Sequence, residues 1–381
     1  MQIVSVTSEQ QMLREVVHDV LATDSSPECV SRDVAAPQGF SLGLWRKAAD
    51  LGWLGLEVPP DLGGSGGTYL ETAIVLRELG RFVTPGPYLS HSLALTGLVA
   101  AGGDSQSAAW IEPAMTGEVI GAVVIPTIGP GGRRSWPVTA RSIDKRGTLR
   151  LNGAAMRLPD IGEANVIVLA TMTESGPVIA AIPAAEAEWP TESRPTHDQT
   201  RRLYDIDVTG FEVPVEWQLA HGEQAEEIVG ALSRRAAIGI ALDSVGGGER
   251  VNAMAVDYAK QRVQFGRPIG SFQALKHMCV DAYVEVEKGR IATDAAVMAE
   301  THDGSRRSYW SAVAKFRAGE AYARAAGDSL QIHGGIGMTW EFPLHRWLKR
   351  AKLNRALFGT PAATRASIAR LAAGSGAGTP E

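Results

Sequence analysis

Apolar positions recur at helical spacing through the first part of the chain, over Gln11–Leu21, Ser41–Leu51, Tyr69–Leu79 and Tyr88–Ala100. Pro59, Gly63, Gly64, Gly66 and Gly67 punctuate the stretch between the second and third of these segments, as breakers do in a loop. The texture changes near Pro113. Short runs rich in β-branched residues then follow one another: Ile120–Ile125, Val138–Ile143, Thr148–Leu151, Val166–Ala170, Val178–Ile182 and Leu203–Val208. Pro, Gly and Asp separate them, which predicts a small antiparallel barrel or sandwich. Helical spacing returns at Gln224 and continues over Glu226–Gly246, Glu249–Gln261, Phe272–His302, Ser305–His333 and Leu344–Leu357. The Gly- and Ser-rich tail from Gly374 to Thr379 is expected to fray. The pattern is α+β: an N-terminal helical domain at 1–115, a middle β-domain at 116–222 and a C-terminal helical bundle at 223–381, without internal repeat.

Composition narrows the function classes. With 381 residues, 45% of them hydrophobic and 21% charged, the chain can bury the cores of two or three domains. A net charge of −5 leaves no basic footprint for nucleic acid, and Arg133-Arg134 and Arg201-Arg202 are isolated pairs. Two cysteines, Cys29 and Cys279, cannot build a disulfide framework or a Cys-based zinc site, and no metal site is expected. The N-terminus reads as the start of an amphipathic helix and not as a signal peptide, and no apolar run reaches the roughly 18 residues of a membrane span. These features predict a cytoplasmic protein.

Chemistry concentrates in Gln261–His277, which reads QRVQFGRPIGSFQALKH. A helix ending at Arg262 meets a Gly- and Pro-containing turn, and a second helix starts near Ser271, a favourable N-cap. An arginine at such a corner presents a planar, permanently charged fork to a phosphate, with Phe265 and Gln273 offering a stacking face and an amide. A salt-bridged arginine in an interhelical turn is the structural alternative. About seventy residues on, Gln331-Ile332-His333-Gly334-Gly335 closes another helix; its structural alternative is a glycine C-cap. No Gly-x-Gly-x-x-Gly lies between a strand and a helix, so a nicotinamide cofactor has no support.

The first run resembles the C-terminal signature of the acyl-CoA dehydrogenase family, and the second that family's Gln-Ile-His-Gly-Gly motif. Gly52–Pro59 with Gly63-Gly64 resembles its N-terminal glycine loop. The resemblance implies N-terminal helices, a middle β-barrel or sandwich domain, a C-terminal four-helix bundle and bound FAD. It also implies an acyl-CoA substrate, electron-transfer flavoprotein or another acceptor, and a homo- or heterotetramer. Arg262 would then pair with the FAD pyrophosphate of a neighbouring subunit, with Phe265 and Gln273 around the adenine. Gln331, Gly334 and Gly335 would let backbone approach the same dinucleotide, and Thr127 and Thr360 would join the flavin contacts. Thr127 stands where common members carry a different flavin-contacting segment, so the middle domain departs most.

The base is less direct. Most members carry a Glu directly before a Gly-Thr pair near the C-terminus; here that place is Phe358, in Leu357-Phe358-Gly359-Thr360. Other members place it 26 residues before the conserved Arg, which here is Ala236. A third arrangement, in members resembling steroid-catabolic enzymes, is matched by Ala241–Gly246 and makes Asp243 the candidate. Asp243 lies seven residues after Ala236, so both share a helix face. The structural alternative is a helix acid that pairs with Arg234 or Arg235 or faces another subunit. Asp198-Gln199-Thr200-Arg201-Arg202-Leu203 resembles a further segment of actinobacterial-type members. The expected reaction is α,β-dehydrogenation of a bulky, steroid- or terpenoid-derived acyl-CoA. The alternatives are a non-catalytic, FAD-completing subunit of an α2β2 enzyme and a flavin oxidase or monooxygenase on the same scaffold.

Overall fold

A computed structural model describes residues 7–102, 105–302, 304 and 306–374. Helices α1 (Ser8–Asp24), α2 (Pro27–Ala35), α3 (Leu42–Asp50), α4 (Tyr69–Arg81), α5 (Tyr88–Ala100) and α6 (Ser105–Met115) come first. Strands β1 (Gly121–Val124), β2 (Thr127–Ile128), β3 (Arg134–Ser135), β4 (Val138–Ser142), β5 (Leu149–Pro159) and β6 (Val166–Thr173) follow. β7 (Gly176–Pro183), β8 (Thr191–Arg194), β9 (Leu203–Asp207), β10 (Glu212–Val213) and β11 (Gln218–His221) complete the β region. Helices α7 (Gly222–Gln261), α8 (Gln273–Thr301), α9 (Arg307–His333), α10 (Leu344–Ala356) and α11 (Pro361–Gly374) end the chain. The expected order of helices, sheet and helices is present. The tail beyond Gly374 lies outside the described residues.

The chain divides into two compact units. The unit of Asp33–Thr72 and Pro85–Ala236 holds the sheet. Its strands run in the order β11-β7-β6-β4-β5-β9-β8, with β1 added to β6 and β10 to β5. The alternating β-branched runs bury one continuous core, including Val124, Leu151, Leu169, Ile182, Tyr204 and Ile206. Pairing is mostly antiparallel, but β1 lies parallel to β6 from Gly121↔Val166 to Val124↔Leu169, so the sheet is mixed and not purely antiparallel. β1 is apolar at all four positions and buried on both faces, as a parallel strand requires. The exposed strand β8, Thr-Glu-Ser-Arg, carried no apolar alternation to announce it.

The unit of Met1–Arg32, Ala73–Thr84 and Ala237–Glu381 is helical. α9 packs against α8, α10 and α11 through a face rich in alanine. Two sequence expectations change here. Gly246-Gly247-Gly248 was expected to separate two helices, yet α7 runs unbroken through it. A Cβ on Gly246 would fall on the Arg77 carbonyl oxygen of α4, and one on Gly80 of α4 would fall on the Asp243 carbonyl. The glycines therefore let two helix backbones touch, and that packing outweighs the helix propensity lost, about 1 kcal/mol per glycine. Ser271 does not cap α8: the helix begins at Gln273 without a side-chain cap, and the Ser271 hydroxyl is buried. Substituting Gly246 by Ala should lower unfolding free energy by about 3 kcal/mol, the upper end for overpacking. Urea denaturation of this single variant measures it, and a loss below about 1 kcal/mol would refute the crossing as the reason for the glycine.

Candidate active site

The Gln261–His277 run forms a two-stranded finger and not the simple interhelical turn expected. The Arg262 N–H donates to the Tyr258 carbonyl (2.9 Å) as α7 ends, and the Ile269 N–H donates to the Arg262 carbonyl (2.8 Å). Between them β12 (Val263–Gln264) pairs antiparallel with β13 (Arg267–Pro268). Phe265 and Gly266 make the tip at φ 53° and 74°, the sign pair of a tight hairpin turn. Phe265 is 92% exposed, although a left-handed conformation costs a bulky residue about 1–2 kcal/mol. The Arg267 guanidinium lies over the Phe272 ring at 4.3 Å, which steadies the second strand. Arg262 is exposed, and its side chain makes no ion pair or hydrogen bond among the described residues.

The second motif meets the first. Ile269 from the hairpin and Ile332 from α9 share one small core with Ala255 and Ala259 of α7, bordered by Tyr258, Phe272 and Leu275. The His333 ring stacks on Tyr258 at 4.4 Å and 27°. Gly334 and Gly335 follow, both exposed, and a Cβ on either would meet nothing within 4 Å. Packing inside the chain therefore does not demand these two glycines. An exposed unpaired guanidinium, an exposed aromatic tip and an open glycine pair on one scaffold fit a dinucleotide approaching from outside the fold. Gln331 and Gln273 are exposed on the same scaffold. Thr127 lies exposed on the β2–β3 hairpin of the other unit, opposite Ser135. Thr360 is the N-cap of α11, its hydroxyl accepting the Ala363 N–H at 3.3 Å.

The candidate base is placed differently. Asp243 is 5% exposed; one carboxylate oxygen accepts from Arg350 Nη1 at 2.8 Å and the other from Asn354 Nδ2 at 2.7 Å. Arg350 also donates to the Thr84 carbonyl (3.4 Å), and Asn354 donates to the Ser244 hydroxyl (3.0 Å). Buried donors on both oxygens favour the ionised carboxylate and fix its orientation. This geometry supports a structural anion over an α-proton acceptor. Arg350 is an ion-pair partner of Asp243, while Arg235 pairs with Glu57 (2.7 Å) and Thr96 (3.0 Å), with Tyr69 against its guanidinium. Ala236 is wholly buried. Phe358 sits half-buried at φ 53°, and Gly359 follows at φ 127°.

Sequence reasoning missed Lys315. It is 3% exposed and donates to the carbonyls of Asn354 (3.3 Å) and Gly359 (2.9 Å), holding the turn that carries Phe358. Burial lowers its pKa to about 8. A lysine inside an apolar helical stretch, Ala312–Ala318, was the available signal. Arg350 and Asn354 lie among the basic residues of α10, where no local spacing marks which cation is buried.

Helices, a mixed sheet and long helices, with two motifs meeting at one exposed corner, define the architecture of an acyl-CoA-oxidising flavoenzyme scaffold. The chain belongs to the acyl-CoA dehydrogenase family: the family's N-terminal domain matches residues 7–118 and its C-terminal domain residues 229–373. It is 33% identical to acyl-CoA dehydrogenase IpdE2 of Mycobacterium tuberculosis over 361 residues, 93% of this chain and 94% of that one. The ChsE4-ChsE5 complex of Mycobacterium tuberculosis superposes with a TM-score of 0.89 at 25% identity, covering 100% of both chains. The Tcur3481-Tcur3483 steroid ACAD shares the fold, with a TM-score of 0.86, 24% identity and coverage of 98% and 100%. No helix among the described residues is long and apolar enough to cross a membrane.

If the Asp243–Arg350 pair is structural, Asp243→Ala should cost about 3–5 kcal/mol, because it strands a buried guanidinium. The double variant Asp243→Leu with Arg350→Met should recover most of that. Chemical denaturation of the three proteins reads this out; a single variant as stable as the parent would contradict the assignment.

Proposed function

We propose that this chain is the FAD-binding, base-deficient subunit of a heteromeric acyl-CoA dehydrogenase, acting on a bulky, steroid- or terpenoid-derived acyl-CoA in the cytoplasm. The observation that carries the reading is the fate of the acids. Phe358 and Ala236 stand at the two positions where the family places its glutamate, and Asp243 is bound to Arg350 and Asn354. A carboxylate of the partner subunit would then take the α-proton. FAD, when bound, supplies the acceptor for the β-hydride, and electron-transfer flavoprotein or another acceptor reoxidises the enzyme.

This chain's residues would hold and orient the cofactor. The Arg262 guanidinium is free to meet the pyrophosphate, Phe265 and Gln273 to border the adenine, and the backbone at Gln331, Gly334 and Gly335 to lie close to the dinucleotide. Thr127 and Thr360 are proposed as further flavin contacts. The substrate class rests on the likeness of Ala241–Gly246 to steroid-catabolic members, and Asp198–Leu203 is similar to a segment of actinobacterial-type members. Assembly is supported by α8, which buries Ala282, Val286, Gly289 and Val297 on one side and leaves Val280, Tyr283, Val284 and Ile291 exposed on another. An apolar stripe of that kind is an interface in waiting. The likeness to a complex of two different chains, ChsE4 and ChsE5, supports a heteromer.

Arg262→Ala should weaken FAD binding by about 1.5–3 kcal/mol, roughly ten- to a hundredfold, while the protein stays folded. Arg262→Lys should recover only part, because a point charge cannot reproduce the fork. Flavin content at matched protein concentration measures both, and full retention by the alanine variant would exclude this role.

The subunit reading is tested by adding acyl-CoA to this chain alone and to the complex co-purified with its partner. Only the complex should bleach its flavin, and Asp243→Asn in the complex should bleach at the parental rate. If the isolated chain bleaches and Asp243→Asn slows it by about 10²-fold or more, Asp243 is the base and the chain is catalytic by itself.

A further inference from the structure

We propose that His333 is a positioning residue that couples the Gln331–Gly335 helix end to the Arg262–Ile269 hairpin, and that it does so only while its ring is neutral. The inference rests on the reading of this corner as the FAD site, but its geometry belongs to the protein alone. His333 is 3% exposed, and its Nδ1 lies 2.7 Å from the Ser329 carbonyl oxygen. A carbonyl only accepts, so Nδ1 carries the proton and Nε2 is left as a bare acceptor. Nε2 is buried without a hydrogen-bond partner among the described residues.

The ring is held between two others, Tyr258 at 4.4 Å and Phe342 at 4.8 Å. Tyr258 stands one turn before Arg262 and accepts its amide N–H, so the stack bears directly on the base of the hairpin. A Cβ on Gly337 would come within 3.0 Å of the His333 Cβ, so the turn beginning at Gly334 folds closely back on this residue. Removing the ring would loosen both motifs together.

Protonation would place an N–H at Nε2 in an apolar slot with nothing to receive it. Tyr258 is the titratable group facing the ring from α7, Phe342 faces it from the segment after α9, and Ser329 faces it from α9 itself. Burial holds the pKa below its ordinary 6.5, the Ser329 carbonyl opposes this, and no charged side chain contributes. Attraction of a charged ring to its aromatic neighbours offsets only part of an unmade charged hydrogen bond. Because the folded-state value is depressed, the coupling is fully present above pH 6.5 and is lost as the pH falls towards the folded value.

The test compares parent, His333→Phe and His333→Ala at about pH 7.5 and about pH 5.5, either side of the ordinary histidine value. Two quantities are read: hydrogen-exchange protection of residues 258–270 in the FAD-free protein, corrected for intrinsic rates, and retention of added FAD. Protection in the parent should fall across this range, by up to about tenfold, with FAD retention following it. His333→Phe keeps the stack and removes the titration, so both quantities should be independent of pH. His333→Ala should be poorly protected at both values. Protection in the parent that does not change, an equal fall in His333→Phe, or parental protection in His333→Ala would each overturn the proposal. Protection that behaves as expected in a protein holding no FAD at about pH 7.5 supports the coupling and counts against the cofactor reading alone.

Discussion

The buried ion pair between Asp243 and Arg350 organises the helical unit. Each ion taken out of water costs several kcal/mol, and the cost is met only where every polar group finds a partner. Here the partners come from several elements: Asn354 completes the carboxylate, and the Thr84 carbonyl receives a second guanidinium hydrogen. α7, α10 and the end of the α4 segment must therefore be brought to hydrogen-bonding distance together. The Gly80–Gly246 crossing of α4 and α7, one turn from Asp243, permits that approach because neither backbone carries a Cβ there. Salt bridge and glycine crossing depend on each other.

The same constraint governs what the site can do. A carboxylate held by a buried guanidinium on one oxygen and an amide on the other is stabilised as the anion, which works against the raised proton affinity a base gains from desolvation. The turn that would carry the other acid is intact. Lys315 holds its carbonyls, and Thr360 caps the next helix, but Phe358 occupies the functional position. The corner proposed for the cofactor carries an exposed Arg262 and two glycines, Gly334 and Gly335, with open space around them.

Much of this was legible in sequence, for identifiable reasons. The long helices and buried strands carry strong periodicity, and Tyr88–Ala100 begins and ends where the pattern placed it. Both motifs were visible as strings, because hairpin tips and helix ends require glycine at set places. The three glycines of α7 misled, since a glycine for close approach and a glycine that ends a helix look alike until the neighbouring helix is known. The surroundings of Asp243 were hidden in a related way. Arg350 lies 107 residues away in a helix whose other cations are less buried, and no local spacing connects the two. The β8 strand and the cap role of Thr360 were likewise set by neighbours distant in sequence or by a turn the pattern does not mark.

Two Phe-Gly pairs show how a common local conformation serves different ends. Phe265-Gly266 and Phe358-Gly359 both place phenylalanine at φ 53° with a positive-φ glycine after it. Each phenylalanine pays the left-handed penalty, so each must be held by something outside the pair. For Phe358 the restraint is internal: Lys315 grips the Gly359 carbonyl, and the ring is half-buried. For Phe265 the hairpin ladder and the Ile269–Arg262 hydrogen bond hold the backbone, while the ring itself projects into solvent. Strain that ends in a buried ring is explained by packing. Strain that ends in an exposed aromatic is met within the chain by the hairpin ladder and by an edge contact of Phe265 with Phe272, ring centroids 6.1 Å apart. The ring that remains 92% exposed is the part of the hairpin most open to a surface supplied from outside.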